Sequence, residues 1–342
     1  MSKAMTNVKS IVGTCIDDLY ADESRTDCTS IDDSCVNGLF KLSDSIKTEL
    51  SYLERLNPCR QTYYMNPSAF VIQYHQTVDI FNFLPKLTLR ISLKIIGKPY
   101  SISEKGYLGE NESVSTLIKT TKGLNLVLNG ARGLDLPYAY TLSSHVFHNR
   151  FTSFDQYLEA LRSHYRYRVK KALIKSSELM IQKIDQKDFD DTHHHLYLEV
   201  YQNSKDKLEC LSLEFFREFP SEIFEFRRRE SGELVGFVQL VQESSKLFFL
   251  FGGFKHECVK TYDLYMAMLL EIIRIGIERG VDVIEFGQTA EETKLKLGCA
   301  PVEKYLYVHH SNKVLHYLIA RLLPLLSYKP HGISYNVFKE TL

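Results

Sequence analysis

The sequence predicts an α/β protein of the α+β kind, a mixed and mostly antiparallel sheet with helices against it, from three observations. Residues 234–254 hold two apolar strands, LVGFVQLV and KLFFLFGGF, joined by a turn at Glu243-Ser244-Ser245. A long apolar helix from about Tyr262 to Arg279 follows, then the strand DVIEFGQ and a short helix ending at Gly298. Upstream, alternating runs near residues 87–95 and 124–129 describe a second mixed unit.

A chain of 342 residues, 44% hydrophobic and 25% charged, has enough apolar material for two domains or one large one. Its 42 basic and 42 acidic residues cancel, so no overall field draws it to nucleic acid or to an anionic membrane, and a phosphate-bearing partner needs a local patch. Cys15, Cys28, Cys35, Cys59, Cys210, Cys258 and Cys299 are scattered, with no CxxC pair, which argues against a disulfide framework or a zinc knuckle. Reduced thiols and a cytoplasmic location are expected. No apolar run reaches the roughly 20 residues of a membrane span, and MSKAMTNVKS lacks a signal-peptide apolar region.

Residues 1–36 are expected to be a mobile N-terminal arm. Residues 14–36 are rich in Asp, Ser, Thr and Cys, and Asp17, Asp18, Asp32 and Asp33 read as solvated acid rather than a metal loop. A helix is expected from Ser43 to Leu56, with Leu42, Ile46, Leu50, Leu53 and Leu56 on one face and Asn57-Pro58 as its stop. In 87–95, Leu87, Leu89, Ile91, Leu93 and Ile95 alternate with polar residues up to the Gly97-Lys98-Pro99 turn. Leu124, Leu126 and Leu128 alternate with Asn125 and Asn129. Residues 37–150 are expected to form a first half and 151–342 a second.

The second half begins with a helix from Ser153, through Phe154, Tyr157, Leu158 and Leu161, into the basic passage RSHYRYRVKKALIK. Arg162, Arg166 and Lys170, four apart, share a helix face with Arg168, Lys171 and Lys175 nearby; that face grips phosphate or is simply a solvated connecting helix. Helices at 188–202 and 213–219 lead to strands at 222–229, 234–242 and 246–254. After the helix at 262–279 come a strand at 282–287, a helix at 290–297 and a strand at 302–309. His193, His194 and His195 are consecutive and so point about 100° apart on a helix, which does not make a metal site. The apolar stretch from Val314 to Leu326 is a docking helix or closes the core.

From Phe151 to His310 the segments FDQYLEALRSHYRYRVKKAL, LYLEVYQNSKDKLECLSLEFF, GELVGFVQL and YDLYMAMLLEIIRIGIERGVDVIEFGQTAEETKLKLGCAP occur in order. They resemble the Fem-type branch of the GNAT acyltransferase superfamily, in particular the peptidoglycan-biosynthesis-associated proteins with a BioF-like acetyltransferase domain. LRISLKIIGKPYSISEKG resembles the companion half of such proteins. The resemblance implies a GNAT fold in two GNAT-like halves and an N-acyltransferase. An acyl group would pass from a coenzyme A or acyl-carrier-protein thioester to a small-molecule or peptide amine by direct attack, without a metal. Alternatives are an aminoacyl-tRNA donor, with the basic stripe gripping RNA, and a non-catalytic protein that recognises a peptide or glycan.

On this reading Gly252, Gly253 and Phe254 contact the acyl donor, the glycines allowing close backbone approach, although a tight strand exit explains them as well. CoA-binding relatives carry an (Arg or Gln)-x-x-Gly-x-(Gly or Ala) loop that presents a helix start to pyrophosphate. Here KHECVKTYDLY stands instead, leaving Lys255, His256 and Lys260 to meet a phosphate. Glu285 is the expected general base, or else an ion-pair partner of Lys294 or a neighbouring arginine. Lys294, before Leu295-Lys296-Leu297-Gly298, is expected to neutralise a substrate carboxylate or the oxyanion. Tyr262 and Tyr265 either donate a proton to the leaving group or pack. Arg166, Arg168 and Gln288 complete the expected substrate contacts. The scattered Cys and Ser residues lack the base that covalent catalysis requires.

Overall fold

A computed structural model describes residues 11–21, 40–57, 59–79, 90–100, 103–204, 210–328 and 334–339. Two compact units are present, Met1–Thr141 with Glu303–Lys329, and Leu142–Val302 with Pro330–Leu342. The segment 303–329, which the sequence groups with the second half, is thus grouped with the first.

The first unit opens with β1 (Ile11–Gly13) and the short helix α1 (Ile16–Ala21), in a stretch expected to be irregular; most of the remaining arm, with Cys28, Cys35, Asp32 and Asp33, lies outside the described residues. Helix α2 (Asp44–Leu56) forms as predicted. The Ser43 hydroxyl accepts from Ile46 N at 3.4 Å, and Leu50, Leu53 and Leu56 are buried. Next come β2 (Gln61–Asn66), β3 (Ala69–Asp79), β4 (Arg90–Ile96), β5 (Tyr107–Gly109), α3 (Asn111–Lys119) and β6 (Leu124–Gly130). Residues 87–89 of the predicted strand lie outside the described residues. β1 to β4 pair in chain order and antiparallel, β5 adds to β3, and β4 pairs parallel with β6. The alternation in β6 predicts a wet asparagine face, but Asn125 is fully buried. Gln73 Nε2 donates to its Oδ1 at 2.6 Å, which satisfies the polar group inside.

β7 (Tyr138–His148) crosses from the first unit's residues to the second's at Leu142. The predicted continuous helix from Ser153 is two: α4 (Phe154–Ala160), capped by the Ser153 hydroxyl, and α5 (Ser163–Ser176), for which Arg162 is the N-cap. Then follow β8 (Leu179–Ile184), which the sequence did not predict, and α6 (Asp191–Asn203), α7 (Leu213–Glu218), β9 (Glu222–Arg228), β10 (Leu234–Glu243) and β11 (Lys246–Phe254), close to the predicted bounds. The predicted helix 262–279 is α9 (Leu264–Glu278), and a helix the sequence did not predict, α8 (His256–Tyr262), precedes it. Between them Asp263 sits in the left-handed region at φ 47°, where the Lys175 ammonium meets its carboxylate at 3.2 Å. β12 (Val283–Glu285) and α10 (Glu291–Leu295) complete the unit.

Its sheet runs β7, β12, β11, β10, β9, β8, antiparallel except that β12 is parallel to β11. A Cβ on Gly252 would meet Met268 of α9, and one on Gly253 would meet the backbone of Leu196 and Tyr197 in α6. Adjacent strand residues face opposite ways, so α9 covers one face and α6 the other. Met268, Leu269, Ile272 and Ile273 form the core with Val238, Leu247 and Ile284.

The chain returns to the first unit in β13 (Ala300–His310), whose later residues pair antiparallel with β6, and ends its regular structure in α11 (Lys313–Leu322) and a 3-10 turn at Leu323–Leu326. In each unit one parallel pair, β4 with β6 through α3 and β11 with β12 through α8 and α9, interrupts an otherwise antiparallel sheet. This is the mixed, mostly antiparallel sheet flanked by helices that the sequence predicts.

Candidate active site

The second unit opens its sheet where β11 and β12 part. Their ladder holds three pairs, Lys246 with Val283, Leu247 with Ile284 and Phe248 with Glu285. Beyond it β11 stays with β10 as far as Gly236 and Phe254, while the chain after Glu285 stays with β7. His145 N donates to Gly287 O at 3.0 Å, and Phe286 N donates to His145 O at 2.9 Å. Phe249 to Gly252 and Gly287 to Gln288, on the two sides of this parting, are half-buried.

The loop that leaves β12 is held from beneath by Lys294. Its side chain is 2% exposed, and Nζ donates to the carbonyls of Phe286 at 2.7 Å, Gly287 at 3.2 Å and Gln288 at 3.0 Å. An ammonium has three donors, and this one spends all three on the loop. Burial pulls its pKa down to about 8, with the Cys299 and Glu285 charges acting the other way. Glu285 folds back so that its Oε1 accepts from Gly287 N at 3.3 Å, in a turn that Gly287 enters at φ 70°. Gln288 Nε2 donates to Leu142 O at 2.5 Å. Glu285, Gln288 and Lys294 are therefore gathered on one loop, and the lysine's donors are directed to that loop's carbonyls.

His145, which the sequence did not single out, belongs to the same group. It is 1% exposed, with Nδ1 at 3.3 Å from Gly287 O and Nε2 at 3.8 Å from Glu291 Oε1. Burial first, and then the Lys294 charge, push its pKa down, so it stays neutral near pH 7. Its only sequence signal is a ring in the run YAYTLSSHVFH, which nothing local ties to residues 285–294.

The expected donor contacts have other partners. Lys255 pairs with Glu233, and Lys255 N donates to Val235 O at 2.9 Å. At the start of α8, His256 N donates to Oε1 of Glu199 at 3.2 Å, so a carboxylate already occupies this helix terminus. The exposed Lys260 gives its carbonyl to Lys175 Nζ at 2.9 Å. Tyr262 is in the core, with the Arg228 guanidinium 5.7 Å from its ring centre, and Tyr265 packs on the same cluster. Phe254 packs on Tyr265 at 5.9 Å. Gly252 and Gly253 serve the close approach of α9 and α6.

On α5, Val169 and Ala172 face inward, and Tyr167, Arg168, Lys170 and Lys171 face solvent. Arg162 is tied to Phe338 O at 3.0 Å, and Arg166 Nη1 reaches Glu159 O at 3.5 Å. The Lys296 ammonium, and Arg168 beyond it, hold the Glu292 carboxyl below its usual range, so Arg168 lies on the side of α5 toward α10. The histidine run diverges: His193 is buried between Asp190, 2.7 Å from Nδ1, and Glu225, 3.0 Å from Nε2, while His194 turns to Leu211 O.

The FemAB-like sequence profile, described as peptidoglycan biosynthesis and recognition, matches residues 135–328. No curated protein matches the chain. Among solved structures it is similar to FemX, at 12% identity and a TM-score of 0.51 over 80% of this chain and 93% of that one. It is also similar to L-PGS from Bacillus licheniformis, at 13% and 0.46 over 80% and 92%. A tandem GNAT protein from the clavulanic acid biosynthesis pathway aligns at 7% and 0.39 over 78% and 88%.

Proposed function

This chain belongs to the FemAB-like family of peptidoglycan biosynthesis and recognition proteins, and from that we propose that it is a Fem-type aminoacyl transferase. The amine of a peptidoglycan-precursor peptide attacks the ester carbonyl of an aminoacyl-tRNA. The amide bond forms, the bond to the ribose oxygen breaks, and the amine's proton ends on that oxygen.

The observation that favours this donor over a coenzyme A thioester is the carboxylate of Glu199 on the first amide of α8. A pyrophosphate there would face a like charge at the point where relatives supply free N–H groups. The exposed Arg168, Lys170 and Lys171 of α5 give an RNA backbone a local set of cations in a chain of zero net charge. Arg166, partly engaged with Glu159 O, extends that set.

In this reading Glu285 takes the proton of the attacking amine at the parting of β11 and β12. Lys294 acts through the loop. A trans peptide carries its N–H opposite its C=O, so gathering three successive carbonyls on Nζ turns the N–H groups of Gln288 and Thr289 away from the lysine, that of Gly287 being given to Glu285. A rigid set of oriented amides is the ordinary means of stabilising an oxyanion.

The test is transfer of radiolabelled amino acid from a charged tRNA pool to a precursor pentapeptide, with labelled acyl-coenzyme A as the parallel donor. Label moving from tRNA alone supports the proposal. Transfer from the thioester alone overturns it, and saturable peptide binding with no transfer from either donor makes the chain a recognition protein.

A further inference from the structure

The first unit ends in a helix whose apolar side chains face outward. Val314, Tyr317, Leu318 and Leu322 of α11, and Leu325 and Leu326 of the turn after it, are all exposed, Leu325 to 81% and Leu326 to 71%. Packing does not require them. The helix is seated by Ile319 and Leu323 against Ala139 and Val308, and its start is fixed by Asn312, whose side chain accepts from Val314 N and Leu315 N. At 100° per residue, Val314, Tyr317, Leu318 and Arg321 cluster opposite that seat, with Leu322 to one side. An apolar surface of this kind, held by a fold that does not need it, marks a site of contact.

Charge decides what covers it. From Ser311 to Tyr328 the chain carries Lys313, His316 and Arg321 and no Asp or Glu, although the protein as a whole has as many acids as bases. Arg321 lies on the outward arc, its guanidinium 3.4 Å from the Tyr317 hydroxyl, so an apolar strip carries its cation at the centre. A second copy of the chain meeting this face about a two-fold axis would set Arg321 and Lys313 against their own kind, with no acid in the segment to relieve them. An anionic bilayer answers both halves of the pattern, since the leucines enter the acyl boundary and the cations meet lipid phosphate.

We infer that α11 and the turn after it form an interfacial anchor that lays the first unit on an anionic lipid surface. Tyr317 suits the boundary, having an apolar ring and a polar tip. The anchor lies on the surface, and no described helix is long and apolar enough to cross a membrane.

The chain has no tryptophan, so Leu325→Trp gives a single probe. Full-length protein is mixed with vesicles of phosphatidylcholine alone or with phosphatidylglycerol added. The expected result is a blue shift and flotation with the anionic vesicles only, weakening with salt. In Leu318→Glu/Leu322→Glu the bound fraction falls about tenfold or more with an unchanged melting temperature, because neither leucine is part of the core. Equal binding by that variant, or no binding of the native chain to anionic vesicles, overturns the inference. So does a vesicle-free dimer in sedimentation velocity that the same substitutions abolish, which assigns the face to a second copy.

Discussion

Replacing Lys294 by Met should change how stability responds to pH, in a direction set by burial. Lys294 titrates near 8 in the folded chain and at 10.5 when exposed. Keeping it charged inside therefore costs about 3 kcal/mol at pH 7, at 1.36 kcal/mol per pH unit. Because the folded pKa is the lower one, the unfolded chain binds the extra proton between pH 8 and 10.5, and stability rises through that window. The penalty is full below pH 8 and gone above 10.5. From pH 7 to 9.5 about 2 kcal/mol of it is recovered. Buried tyrosines such as Tyr157 and Tyr265, raised by desolvation, begin to oppose this near pH 10, but both proteins carry them and the difference removes them. Met fills the lysine's volume and leaves three carbonyls without donors, at a cost of about 1–3 kcal/mol each where water does not replace it. Urea unfolding of both proteins at pH 7 and 9.5 should find the native chain's advantage over Lys294→Met widening by about 2 kcal/mol. An advantage that stays constant, or narrows, would refute the desolvated lysine and point to a buried ion pair.

Gly253→Ala puts a methyl 2.6 Å from Tyr197 N and 2.7 Å from the Leu196 carbonyl carbon; α6 must shift, and denaturant unfolding should record a loss of about 2–3 kcal/mol. Asp190→Ala removes the acceptor for Thr192 N and His193 N, with an expected loss of about 1 kcal/mol and faster amide exchange in the first turn of α6. For Arg168→Ala/Lys170→Ala, the plot of log affinity for tRNA against log salt should lose about one in slope for each cation removed, with the precursor peptide bound as before; an unchanged slope would take α5 out of the RNA contact.

The strands from 234 to 254 were legible because they are short apolar runs with their own turn between them at Glu243-Ser244-Ser245. Breaks decided by distant partners were not. Asp263 adopts its left-handed turn beside Lys175, and α5 starts at Arg162, whose side chain is tied to Phe338. Asn125 reads as a solvent-facing residue until Gln73 is brought to it. The same limit governed the site. Glu285, Gln288 and Lys294 lie within ten residues, so their nearness is local. That Lys294 spends its donors on the loop depends on loop geometry, and that Glu199 occupies the start of α8 depends on a contact 57 residues away in sequence.

The early end of the β11–β12 ladder also leaves a length of main chain to be matched. From Phe249 to Phe254, six residues on, β11 is held by β10 along one side only among the described ladders, a stretch of ~20 Å at about 3.3 Å per residue. Such a rim of amides pairs with whatever presents amides at the same spacing, and an extended peptide does so whatever its side chains. A molecule docked there would be measured by its backbone first. Side-chain exchanges along β11 would disturb that fit less than N-methylation of the incoming peptide.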